Sequence, residues 1–193
     1  AQQRRLARMW RSEQERVATA PNSLSFWPGT KGLTRISIPR IGLDAIVVEG
    51  TDTRALSLGP GHMENTSIPG DNGNSVITGH RDTFFRRIGE LNTGDDILVQ
   101  RNGRIFTYEV SRKQVVEPND LSVIRPTRDA ELTLITCYPS YYIGPAPERL
   151  VVFSRLVTGN TPQTIADTDL AGGYETEKPS NSKLLRKRAA SAQ

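Results

Sequence analysis

Residues 96–116 read DILVQRNGRIFTYEVSRKQVV, and the pair Asn102-Gly103 at their centre decides how the flanks fold. Both residue types tolerate positive φ, which the type I′ turn of a two-residue β-hairpin requires at its central positions. The flanking runs ILVQR and RIFTYEV carry the β-branched and aromatic residues that pack on a pleated surface. A hairpin of strands Asp96–Arg101 and Arg104–Val116 is expected.

Working outward, short β-branched runs recur between Gly, Pro, Asn and Asp punctuation. The expected strands are Leu33–Ile38, Leu43–Val48, Ser75–Thr78, Glu131–Cys137 and Arg149–Val157. Helical stretches are few and short: Thr53–Leu58, Phe84–Leu91 and Asn119–Ile124. Many strands with little helix predict a mostly β domain, a closed barrel or a sandwich, and exclude a βαβ fold.

The two ends read differently. Residues 1–20 lack Gly and Pro, and Leu6, Met9, Trp10 and Val17 form a thin apolar stripe, which predicts a helix. Residues 1–30 are expected to be an arm or membrane-proximal stalk, and 31–158 the folded domain. Residues 159–193 hold too few large apolar side chains to offset chain entropy, so a flexible tail is expected, with SKLLRKRAASAQ suited to a short helix.

The formal net charge of +4 is concentrated at these ends, with Arg4, Arg5, Arg8, Arg11 and Arg16 at one and Lys183, Arg186, Lys187 and Arg188 at the other. Such runs are commonly solvated faces; the second reading is an anionic surface such as a membrane. Sequence-specific nucleic-acid binding is disfavoured. No apolar run reaches the roughly 18 residues that span a bilayer. The first residue is Ala1 rather than Met, so a boundary or processing site is expected there, and an anchor upstream of it would leave no trace in these residues.

Three residues could carry chemistry. Cys137, the only cysteine, closes the run Leu132-Thr133-Leu134-Ile135-Thr136, and Pro139 stops the ladder just beyond it. The thiol is therefore expected at the rim of a central strand. A free cysteine is commonly an inert buried hydrophobe; the alternative is a nucleophile. His80 follows Gly79 at the end of a second strand and is either structural or an acid–base group. Arg149 stands twelve residues after Cys137 and opens the next strand. It is either a surface residue or a cation that returns to the thiol, lowers its pKa and holds an oxyanion. With no second cysteine and no HxxxH pair, a metalloenzyme is disfavoured.

Leu-Thr-Leu-Ile-Thr-Cys, with Arg-Leu-Val-Val twelve residues beyond the cysteine, resembles the sortase signature TLxTC…R. Gly79-His80-Arg81 supplies the histidine motif 57 residues before the cysteine. Gly79–Arg86 (GHRDTFFR), Thr136-Cys137-Tyr138-Pro139, Leu58-Gly59-Pro60-Gly61-His62 and Pro69-Gly70…Gly73-Asn74 are similar to class D sortases. The resemblance covers about Leu33 to Val157. It departs at Ser140, where class D members often carry Phe, a change that bears on substrate preference.

The resemblance implies an eight-stranded β-barrel and thiol acyl transfer without a cofactor or metal. Cys137 would be the nucleophile, His80 the acid–base group and Arg149 the oxyanion donor, with Thr136 supporting the oxyanion or substrate. Tyr138, Tyr141, Tyr142 and His62 are candidate groove residues, His62 with a structural alternative. The implied substrates are secreted proteins bearing an LPxTG-like sorting signal. The implied acceptor is an amine of a peptidoglycan precursor or surface protein, at the extracytoplasmic face of a bacterial membrane. Two other functions share features with this one: a cysteine peptidase that releases product to water, and a non-catalytic peptide-binding module. An L,D-transpeptidase is disfavoured, since its cysteine lies in a Ser-His-Gly-Cys context.

Overall fold

The computed structural model describes residues 2–19, 33–142 and 144–162, with backbone alone for 13–19 and 160–162. Helix α1 spans Gln2–Thr19, and α2 spans Thr53–Leu58. The strands are β1 (Thr34–Ile38), β2 (Leu43–Glu49), β3 (Gly61–His62), β4 (Asn74–Gly79), β5 (Asp96–Arg101), β6 (Arg104–Val116), β7 (Glu131–Tyr138) and β8 (Glu148–Pro162). They close into a barrel in the order β1-β2-β3-β4-β7-β8-β6-β5. The barrel expected from the sequence is therefore the one observed.

Local chemistry explains the elements. Asn102 and Gly103 take φ of 51° and 71°, and Arg101 pairs with Arg104, which is the expected hairpin turn. Asp52 caps α2 by accepting from the backbone N–H groups of Arg54 and Ala55 at 2.8 and 3.0 Å. Alternate residues of the strands, among them Ile36, Ile38, Ile77, Val99, Tyr108, Leu132, Leu134 and Val152, fill the barrel interior and are fully buried. Each contributes roughly 1.5–3 kcal/mol of transfer free energy.

A smaller cluster of Val116, Val123, Val151 and Phe153 lies outside this interior, with Ile124 and Ile135 against it. Asn74 fastens its cover. The Asn74 amide donates to the carbonyls of Val123 and Arg125 at 3.1 and 3.2 Å, and its oxygen accepts from Thr133 Oγ1 at 2.8 Å. The 3-10 turn Leu121–Ile124 is thus pinned over the outer wall of β7 and β8.

Three expectations change. The 84–91 helix reduces to turns and one 3-10 turn, Ile88–Glu90, and 119–124 to the turn just described. Strand β8 continues past Val157, since Thr158 and Thr161 still pair with β6, so backbone pairing outlasts the apolar pattern. Helix α1 forms as expected but lies against the barrel: Gln3 Oε1 accepts from Ile46 N–H at 3.1 Å and its Nε2 donates to Leu58 O. The tail beyond Pro162 and the linker 20–32 lie outside the described residues.

Candidate active site

Cys137 stands next to last in β7. Side chains alternate along a strand. Leu132 and Leu134 point into the barrel, and Tyr138 packs against that core, whereas Ile135 belongs to the outer cluster. Cys137 therefore shares the outer face with Ile135, and it is half-buried.

Arg149 is the direct partner of Cys137 across the antiparallel β7–β8 ladder. It precedes Val151, an outer-face residue, by one alternation, so thiol and guanidinium share a face. Strands β4 and β7 run parallel, with Gly79 opposite Thr136. His80 follows Gly79 and so stands level with Cys137 on the other side. Neighbouring strands lie about 4.8 Å apart, which brings the three residues within about 10 Å of sheet.

Gly79 has a packing reason for its place before His80. A Cβ there would come 2.6 Å from the Phe85 ring, too close for any side chain. The chain then turns as the N–H groups of Thr83 and Phe85 donate to His80 O at 3.4 and 3.1 Å. On the far side of Cys137, Pro139 has no N–H with which to continue the strand.

Arg149 Nη1 donates to the carbonyls of Ala146 and Glu148 at 3.2 and 2.8 Å. Its remaining N–H groups have no partner among the described residues, so the fork is aimed by one nitrogen and open at the others. Thr136 is buried on the opposite face of β7, and its hydroxyl donates to Gly79 O at 2.7 Å. Its contact is with the backbone that carries His80.

Tyr138 and His62 do not join the group. Tyr138 is turned inward by the alternation of β7. His62 is 3% exposed and pairs with Ile77, three residues below His80. Its Nδ1 lies 3.0 Å from Glu49 Oε1 and its Nε2 3.0 Å from Ser67 O. Tyr141 and Tyr142, 84% and 44% exposed, lie on the connection between β7 and β8 beside the wall. A cleft of about 370 Å³ lies past the turn after His80, between Ile41–Asp44 and Thr83–Arg87, and another of about 230 Å³ surrounds His62 and Arg101; neither is lined by Cys137.

One residue of the site went unassigned in the sequence. Arg81 reaches across to the β7–β8 connection, where Nη1 donates to Pro139 O at 3.2 Å and Nη2 to Gly144 O at 2.8 Å. It ties the segment after His80 to the segment after Cys137. Arg81→Ala is expected to raise KM for a peptide substrate by roughly tenfold, about the loss of one charge-assisted hydrogen bond of 1.5 kcal/mol, with a smaller change in kcat. Steady-state kinetics check this, and an unchanged KM removes the clamp. Among the described residues no group of three His, Cys, Asp or Glu side chains is arranged to hold a metal.

The Sortase domain family matches residues 36–157. The chain is 41% identical over 141 residues to Sortase D of Bacillus subtilis (strain 168), covering 72% of this chain and 71% of that protein. A Clostridium perfringens Sortase D5 transpeptidase has the same fold at 27% identity and a TM-score of 0.63, over 81% of this chain and 96% of the other. Sortase E1 from Streptomyces coelicolor, solved with a tripeptide in its active site, follows at 26% identity and a TM-score of 0.62, over 72% and 95%. The chain belongs to the sortase family. Sortases are cysteine transpeptidases that join a sorting-signal substrate to an amine acceptor and act in general at the cell surface.

Proposed function

We propose that Cys137, His80 and Arg149 are the catalytic group, acting on an LPxTG-like sorting signal of a secreted protein at the outer face of a bacterial membrane. The observation that carries this reading is the direct pairing of Cys137 with Arg149 on one face, with His80 level on the neighbouring strand. The Cys137 thiolate attacks the scissile carbonyl, and the developing oxyanion takes N–H donors from Arg149 and the backbone. As the C–N bond breaks, His80 gives its proton to the leaving amine and a thioester remains. An acceptor amine then attacks the thioester, His80 takes the amine's proton, and a new amide releases Cys137. Thr136 supports this by fixing the Gly79 carbonyl beside His80, and Tyr141 and Tyr142 border the groove. An anchor in the membrane and an acceptor from a peptidoglycan precursor or surface protein complete the reading.

The test is a panel of Leu-Pro-x-Thr-Gly and Leu-Pro-x-Thr-Ala peptides, each with and without an added amine such as triglycine. Mass spectrometry should find cleavage after Thr and a ligated product when the amine is present. Hydrolysis alone at every amine concentration would favour a peptidase, and no cleavage of any peptide would remove the proposed signal.

A further inference from the structure

We propose that helix α1 is a docking surface for an anionic lipid bilayer and holds the barrel with its catalytic wall turned away from that bilayer. Only the second half of this statement rests on the catalytic group proposed above. Successive residues of a helix are set about 100° apart. Gln3, Leu6 and Trp10 are the half-buried positions of Gln2–Ser12, and they fall within about 60° of one another. Arg4, Arg8 and Arg11 form a second group about 60° wide, centred roughly 140° round from the first, and Arg5 flanks it. All four arginines are exposed. None makes an ion pair among the described residues; the acidic residues of α1, Glu13 and Glu15, come only after this stretch, so Gln2–Ser12 is its cationic end.

The helix is fixed to the barrel, which gives its charged face a direction. Gln3 brackets the backbone of Ile46 and holds Leu58 O, while the Arg35 guanidinium lies 4.9 Å from the centre of the Trp10 ring. Arg35 also pairs with Asp44, so the contact on β1 and β2 is itself anchored. Around the ring of eight strands, β8 with Arg149 is four strands from β2 in either direction, and β7 with Cys137 is three. The arginine face and the catalytic wall thus look outward on opposing sides.

A bilayer fits this face better than a nucleic acid does. Met9, 49% exposed, lies about 40° past Arg5 on the flank of the helix, between the arginines and the half-buried stripe, where an apolar side chain can enter the headgroup boundary at the edge of the charged face. Anionic lipid attracts each arginine within a Debye length, at roughly fivefold in partitioning apiece.

The test uses the full chain with vesicles of phosphatidylglycerol and phosphatidylcholine at millimolar lipid and low salt, read by co-sedimentation. Binding is expected to anionic vesicles and to be absent with phosphatidylcholine alone. The triple variant Arg4→Gln, Arg8→Gln, Arg11→Gln should partition about 10²-fold more weakly, with the melting curve of the parent. Equal binding by the variant, equal binding to neutral vesicles, or binding to soluble polyphosphate in place of vesicles overturns the proposal. A fluorophore on Cys137, the single cysteine, should stay bright when the vesicles carry nitroxide lipids; quenching overturns the orientation while leaving the docking face in place.

Discussion

Cys137→Ala should form no thioester with any sorting-signal peptide, and intact-mass spectrometry should find the parent mass alone after incubation. No second thiol exists in the chain. The adjacent hydroxyl cannot substitute, because Thr136 lies on the inner face of β7 with its proton committed to Gly79 O. A serine or threonine also needs a positioned base to become a nucleophile, and His80 is set level with residue 137 rather than with any hydroxyl. The native protein run in parallel should gain the mass of the acyl fragment. An adduct on the alanine variant would place the nucleophile elsewhere and end the assignment.

Arg149→Ala should lower kcat by roughly 10²–10³, the scale of losing one oxyanion donor. The lysine variant separates geometry from charge. In the native chain one nitrogen of the fork is tied to Ala146 O and Glu148 O, on the residue that pairs with Cys137 across the ladder. A lysine ammonium presents a point charge on a flexible stem and cannot be held and donate in the same planar arrangement. Losses in Arg149→Lys and Arg149→Ala of similar size would support a donor fixed in space. Retained activity in the lysine variant would reduce the requirement to positive charge, and full activity in both would leave a Cys137–His80 pair acting alone.

Much of this was legible in the chain because the signals are local. Strand β5, the turn Asn102-Gly103 and β6 follow from short-range propensity, and α2 has the bounds its residues suggest. Cys137, His80 and Arg149 lie at strand ends that punctuation marks. What stayed hidden depends on pairing between distant segments. Strand β3 is two residues long, too short for any pattern. Arg81 reads as an exposed cation until the fold brings up carbonyls 58 and 63 residues away. The polar end of β8 has no apolar alternation, only a backbone partner in β6. Tyr138, partly buried, packs against the barrel core. Leu132, Leu134, Thr136 and Tyr138 form one alternating set, so the period of two already pointed it inward.

The parallel pairing of β4 with β7 has a kinetic corollary. Gly79 and Thr136 are 57 residues apart, and the strands that carry His80 and Cys137 meet only after that long loop has closed at its entropic cost. Arg149 joins through a hairpin that itself needs β7 in place. Cys137 thus meets the strand before His80 and the strand of Arg149 only through pairings that closing the barrel supplies, and a fragment lacking β4 or β8 leaves it without one of those neighbours.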